Sequence, residues 1–352
     1  MQFQTGAAMA RVNGLNKTTL GALLAAILVV LFLISRYLPV IGTISMFFCP
    51  VPLVIMHVKF GDLKYTALVA LVATALVSIY TGNPLTAVFF LIGVGLQGMV
   101  LAFMIGARKS AITSVFVCAL TTMISTIVLF VAVAPLMEFK FSVKKQLEVI
   151  SEQFKKSGDA NVESLKKSGA SAEQINNMER FYAQAAEAVR GMYIYTPLFL
   201  LGSSFISAII NYLAAAMVLR RLSYEAAALP AFSRWRMPWK TVWVFIAGLL
   251  LLNLSGGGGE EAQSGIARYL NLIGLNINGA FMMLFFVNGL AVVHFYLIHY
   301  SVNMAARIFL YFLVFFHPLF YMTVLFVGLA DPWIDIRKLD EQNNLNEGGL
   351  DK

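Results

Sequence analysis

Apolar runs separated by short polar breaks cover most of the chain. The runs fall at about residues 20–38, 41–58, 65–80, 85–106, 111–136, 192–219, 239–254, 275–300 and 306–330. Most contain no charge over a length near 20 residues, which is what an α-helix needs to cross a bilayer core. None alternates with the period of two that a lipid-facing β-strand requires. The pattern predicts an all-α polytopic integral membrane helix bundle of eight or nine spans. Pro50 and Pro52 fall inside the second run and predict a kinked or broken helix there, because proline removes a backbone donor. Thr81-Gly82-Asn83-Pro84 is a strong breaker between the third and fourth runs. A short helix at the membrane surface is predicted over 263–272. The first run follows Arg11 and Lys17 without a small-residue cleavage site, and is read as an uncleaved span.

Two interruptions are longer than turns. Residues 138–190 hold nine basic and eight acidic residues, with apolar positions recurring at helical spacing. Ser171 and Gln174 have capping-box spacing, and Gly158 and Gly169 each suit a helix C-cap. This segment is predicted to be an inserted, water-exposed helical hairpin or three-helix element. Residues 220–240 carry five basic residues, two prolines, two tryptophans and a single acid. They read as a polar hinge between a larger and a smaller bundle. The predicted organisation is spans one to five over 1–137, the insert over 138–191, span six over 192–219, the hinge over 220–240, a C-terminal bundle over 241–330, and a polar tail over 331–352.

Composition agrees. Apolar residues make up 59% and charged residues 12%, with a mean hydropathy of +0.77; a soluble domain carries roughly 25% charged residues. The net charge of +8 sits mainly at span ends, where it sets orientation, so nucleic acid is not implied as a partner. With the N-terminus inside, Arg11, Lys17, Lys59, Lys64, Arg108, Lys109, Arg220, Arg221, Arg234, Arg236, Lys240 and Arg307 all lie inside. The short outer loops then hold only Arg36 and Arg268. This predicts a membrane protein with a cytoplasmic N-terminus and an extracytoplasmic 138–191 insert. Nine crossings would put Arg337 and Lys338 outside; a re-entrant C-terminal segment gives eight and keeps them inside.

Candidate chemistry is sparse. No charged residue lies near a predicted span centre, so an ion-coupled carrier built on Asp, Glu and Lys is not indicated. Cys49 and Cys118 lack any CxxC neighbour, and no metal, cofactor, ATPase or nucleophile motif occurs. The chain is therefore not expected to be an enzyme. The membrane-embedded polar residues are amides, hydroxyls and imidazoles, and interhelical hydrogen bonding is the commoner use of each. Gln97, Ser125 and Asn211, with Asn83 and Tyr195 near span ends, are the candidates for contact with a small ligand. Gly21/Ala25 and Ala22/Ala26 are two small-residue pairs four apart on the first span, a spacing that lets another helix approach closely. Arg234, Trp235 and Arg236 in the hinge suit either a headgroup anchor or a docking surface for a partner.

The kinked FFCPVPLVIMHVKFG run, the helical insert, LPAFSRWRMPW, NGLAVVHFYL and the closing GLADPWIDIRKL together resemble the YybS-like family of uncharacterised bacterial membrane proteins. The first six spans are in turn similar to the substrate-binding S components of ECF-type vitamin transporters. That resemblance implies that Ala22 and Ala26 contact a transmembrane coupling subunit joined to an ATPase pair. It also implies that the outer ends of spans four to six hold a small organic molecule, with span six completing an S-component-like bundle. The alternative is a non-transporting scaffold that binds an envelope partner through residues 140–190.

Overall fold

The computed structural model describes residues 16–137, 142–256 and 265–339. Every regular element among the described residues is helical. Seven helices are long and apolar enough to cross a membrane, or eight if one sharply bent pair counts as a span. The chain is an all-α, multi-pass membrane protein. It divides into two compact units: one takes the residues through Val143 with Phe199–Leu229, the other takes Lys144–Leu198 and the residues from Pro230 onward.

In the first unit, α1 (Lys17–Tyr37) starts at Asn16, whose side chain accepts the Thr19 N–H at 2.8 Å. The second apolar run is broken as its prolines predict. Helix α2 (Pro39–Phe48) stops at Cys49, and α3 (Val51–Phe60) restarts after Pro50. Helix α4 (Leu63–Thr81) is capped by Asp62 and closed by Gly82 at φ 62°. Asn83 then caps α5 (Pro84–Phe90), which passes through a π-helical turn (Leu91–Gly95) into α6 (Leu96–Gly106). Helix α7 (Ala111–Val128) also ends in a π turn, Leu129–Val133. The predicted sixth span is α10 (Thr196–Arg221).

Two apolar clusters hold this unit together. Leu20, Leu24 and Leu28 of α1 pack with Leu53, Val69 and Phe90. Leu101, Val115 and Cys118 pack with Ala208, Tyr212 and Ala215 of α10. The alanines on α10 permit close helix approach, which matters in lipid because packing rather than water exclusion drives association. On α7, Thr121, Thr122 and Thr126 each donate to the carbonyl four residues back, so their hydroxyls are satisfied inside their own helix.

The second unit begins with the insert, which is a helical hairpin. Helix α8 (Val143–Lys167) turns at Gly169, φ 75°, into α9 (Ala172–Gly191), and the Ser171/Gln174 capping box forms in both directions. Gly169 closes α8 as its spacing predicts. Gly158 does not end a helix: it lies within α8, where an added Cβ would stand 2.6 Å from Tyr182. Its role is to let the hairpin legs touch. Ser151 donates to the Ala186 carbonyl and Asn161 to the Tyr182 hydroxyl across the same contact.

Helix α11 (Thr241–Leu254) is short. Helix α12 (Ile266–His299) is one continuous 34-residue rod that absorbs the separate surface helix expected over 263–272. Helices α13 (Met304–Phe316) and α14 (Pro318–Ile334) replace the single ninth span; they meet at His317 with a bend of 95°. Pro318 forces that break, since it cannot donate to α13 and disfavours helical geometry at His317. Helix α14 continues through Asp331 and Pro332, so the segment read as the start of a tail is helical to Ile334. The predicted tail beyond Leu339 lies outside the described residues.

Candidate functional site

A polar site in the first unit draws its residues from α2 and the proline break after it, from the π turn and α6, and from α10. The π turn Leu91–Gly95 carries one extra residue in its helical turn, which re-aims the side chains after it, and π turns of this kind recur at functional sites. Gln97 lies just after it, and Gly98 packs against the proline break: a Cβ there would meet Leu53 at 2.7 Å and the Pro50 backbone at 3.4 Å. Ser207 and Asn211, one turn apart on α10, approach the same place. Gln97, Asn211, Ser207, Pro50, Met46 and Val94 line a cavity of about 40 Å³. Gln97 is 6% exposed and Asn211 3% exposed.

The hydrogen bonding at this cavity is incomplete. Asn211 donates to the Ser207 hydroxyl at 3.3 Å, yet its carbonyl oxygen has no partner. The Gln97 amide nitrogen has none either. One donor and one acceptor thus border a single small space in an apolar bundle. Leaving such a group buried and unpaired costs about 1–3 kcal/mol, and in lipid no bulk water relieves it. The volume suits one polar group of a larger molecule and is far below the 300–1,000 Å³ typical of a whole-ligand pocket.

The other predicted ligand contacts do not converge here. Asn83 spends its side-chain oxygen capping α5, accepting the Leu85 N–H at 2.9 Å. Ser125 is buried on α7 with an unpartnered hydroxyl, and does not line the cavity. Tyr195 belongs to the second unit, in a 3-10 turn (Met192–Tyr195) close to Gly279.

The small residues of α1 divide by face. Gly21 and Ala25 are buried within the unit, Gly21 so tightly that a Cβ would meet Tyr65 at 3.0 Å. Ala22 and Ala26 are exposed, beside Leu23, Ile27 and Val30. One small-residue pair serves internal packing, while the other faces outward.

The second unit holds a polar cluster that hydropathy conceals. Arg337 and Asp331 form a salt bridge at 2.7 Å with both side chains fully buried. The same guanidinium donates to the Ser233 carbonyl at 2.6 Å and to the Trp235 carbonyl at 2.7 Å. Asn288 donates to the Gly328 carbonyl at 2.9 Å and lies 3.5 Å from the guanidinium through its own oxygen. This arrangement ties the hinge residues to α12 and α14. Arg236 adds an ion pair with Asp335 at 3.4 Å and donates to the Pro332 carbonyl, and the Trp235 indole donates to the Pro230 carbonyl. Of the three predicted hinge contacts, Trp235 and Arg236 are thereby engaged inside the unit, and Arg234 is exposed.

The cluster depends on two glycines. A Cβ on Gly289 would stand 1.9 Å from the Val324 carbonyl oxygen, and one on Gly328 would stand 1.8 Å from the Phe285 carbonyl oxygen. Helices α12 and α14 touch backbone to backbone, and this contact brings Asn288 within reach of Asp331. Sequence reading missed the cluster because Asp331 and Arg337 sit at the edge of an apolar run. Their separation of six residues folds back through Asp335, at φ 48°. The signal that could have found it is the pair of glycines in NGLAVV and VGLADP.

At 26% identity over 329 residues, the chain is similar to "Uncharacterized protein YybS" of Bacillus subtilis (strain 168), covering 90% of this chain and 96% of that relative. No solved structure matches the chain. A family described as "Predicted membrane protein (DUF2232)" matches residues 26–332. The chain belongs to this family of membrane proteins, and the YybS-like resemblance read from its motifs holds.

Proposed function

We propose that this family member is a membrane-embedded binding subunit for a small organic molecule, working with a separate coupling subunit and ATPase. The observation that carries the reading is the unpaired Gln97 donor and Asn211 acceptor on one buried cavity. An amide, hydroxyl or carboxyl group entering there would satisfy both, and the α2–α3 break at Pro50 gives the wall a joint at which to widen. The exposed Ala22/Ala26 face of α1 supplies a surface where a partner helix could approach closely. In this reading the chain is not itself an enzyme.

The orientation belongs to the same proposal. The Lys17–Asp62 ion pair, the His57–Gly106 contact and the meeting of the α6 and α10 ends gather Lys17, Lys59, Lys64, Arg108, Lys109, Arg220 and Arg221 at one end of the first unit. By the positive-inside rule that end faces the cytoplasm of a bacterial inner membrane. The insert then lies outside.

A second reading is a scaffold that holds an envelope partner through residues 140–190. It is favoured by Val149, Ile150, Phe154 and Phe181, which are exposed on the charge-rich hairpin. One experiment addresses both. Mild-detergent purification followed by mass spectrometry is expected to show a bound small molecule and a co-purifying ATPase or coupling subunit. If neither is recovered, and deletion of 140–190 releases an envelope partner, the binding-subunit reading is overturned.

A further inference from the structure

A larger cavity in the first unit lies apart from the Gln97–Asn211 site. It forms where α6 ends, α7 begins and α10 ends. Both helix ends close in the same way. Arg108 takes a left-handed backbone, φ 52°, and the Lys109 N–H reaches back to the Met104 carbonyl. Ser223 takes φ 61°, and the Tyr224 N–H reaches back to the Leu219 carbonyl. These are Schellman-type closures normally made with glycine. They place Arg108 and Lys109 from one end, and Tyr224 and Glu225 after the other, around a space of about 580 Å³ that Arg220 also lines. Tyr212 lines it too, fixed by a 2.6 Å hydrogen bond from its hydroxyl to the Ala227 carbonyl.

Three cations therefore share one open cavity with a single carboxylate, Glu225. Among the described residues, no side-chain hydrogen bond or ion pair occupies Arg108, Lys109 or Arg220. All three are exposed, and three cations against one carboxylate give the cavity a net positive potential that favours an anion there. Guanidinium forks and an ammonium are the side-chain groups that pair with phosphate oxygens by hydrogen bond as well as by charge. The volume is that of a small-ligand site, and Ile105, Ala226 and Ala227 give it an apolar side.

We propose that this cavity binds a phosphate-bearing anion, either the headgroup of an anionic phospholipid or a soluble organic phosphate. The site is independent of the Gln97–Asn211 reading and does not need it.

The test uses the full-length protein in mild detergent. Native mass spectrometry compares retention of phosphatidylglycerol with that of phosphatidylcholine, and calorimetry measures glycerol phosphate. Selective retention of phosphatidylglycerol identifies a lipid headgroup. Binding of glycerol phosphate that competes with the lipid identifies a soluble phosphate. In either case binding should weaken about fivefold for each of Arg108→Gln, Lys109→Gln and Arg220→Gln, while Arg221→Gln, outside the cavity, leaves it unchanged. Affinity of the unmodified protein should also fall as salt rises, which keeps the test independent of any folding defect in a variant. Equal retention of the two lipids with no glycerol phosphate binding overturns the proposal. So does binding that survives all three substitutions or ignores salt.

Discussion

Each unit buries a polar cluster among apolar side chains, and these two clusters are satisfied in opposite ways. Arg337 in the second unit has a carboxylate and two backbone carbonyls within 2.7 Å. Gln97 and Asn211 in the first unit each keep an atom without a partner. The charged cluster is the costlier to desolvate, yet it is the complete one. Buried charge survives only when paired and hydrogen-bonded, so its completeness marks it as structural. An amide is cheap enough to leave half-used, and under the proposed binding role the unused half is what a ligand would take up.

The sharpest way to break that contrast is to remove the guanidinium. Arg337→Met should destabilise the protein by about 3–5 kcal/mol, because it strands the Asp331 carboxylate in an apolar site. The double variant Asp331→Leu/Arg337→Met should recover most of the loss. Thermal unfolding in detergent reads both, and a cost for Arg337→Met below about 1 kcal/mol would remove the structural role.

At the amide site the expectation reverses. Gln97→Leu and Asn211→Leu should leave stability within about 1 kcal/mol or raise it, since each removes an unsatisfied atom at similar volume. Both should reduce recovery of any small molecule that purifies with the protein. If they destabilise as strongly as Arg337→Met, the amides are structural and the contrast collapses.

The smallest effect concerns the half-exposed Lys17–Asp62 pair, where a polar contact meets water. The hydrogen bond from Lys17, and then the Tyr65 N–H, hold the Asp62 carboxyl below its ordinary range. A depressed folded-state value means that the contribution is present at neutral pH and fades as pH falls through that value. A slight drop in melting temperature below about pH 4 should appear in the native chain and vanish in Asp62→Asn. A drop of equal size in that variant would assign the effect elsewhere.

Much of the fold was legible because lipid demands long helices with little or no charge, and residues 20–38, 65–80 and 111–136 satisfy that by composition alone. Pro50 and Pro52 announced the α2–α3 break because proline acts locally. Pro318 acts just as locally, but the apolar run continues through it, so 306–330 reads as one straight span where the structure bends by 95°. Of the site, Gln97 and Asn211 stood out as amides among apolar neighbours. Their meeting across two helices, more than a hundred residues apart, is a fact of packing. Asp331 and Arg337 failed the same reading for the opposite reason: charges at the edge of an apolar run look like solvent-facing punctuation, and only the glycine contact between α12 and α14 turns them inward.

At 34 residues, helix α12 is roughly 50 Å long, well beyond a ~30 Å hydrocarbon layer. Toward one end, Asn276 donates to the Ile194 carbonyl and accepts the Leu198 N–H, gripping the base of the hairpin. Roughly 18 Å along the same axis, Asn288 grips Gly328 beside the buried ion pair. There is no joint in this rod between the two grips. The hairpin base and the Arg337 cluster are therefore spaced by one unbroken helix, and their separation is set by its rise per residue.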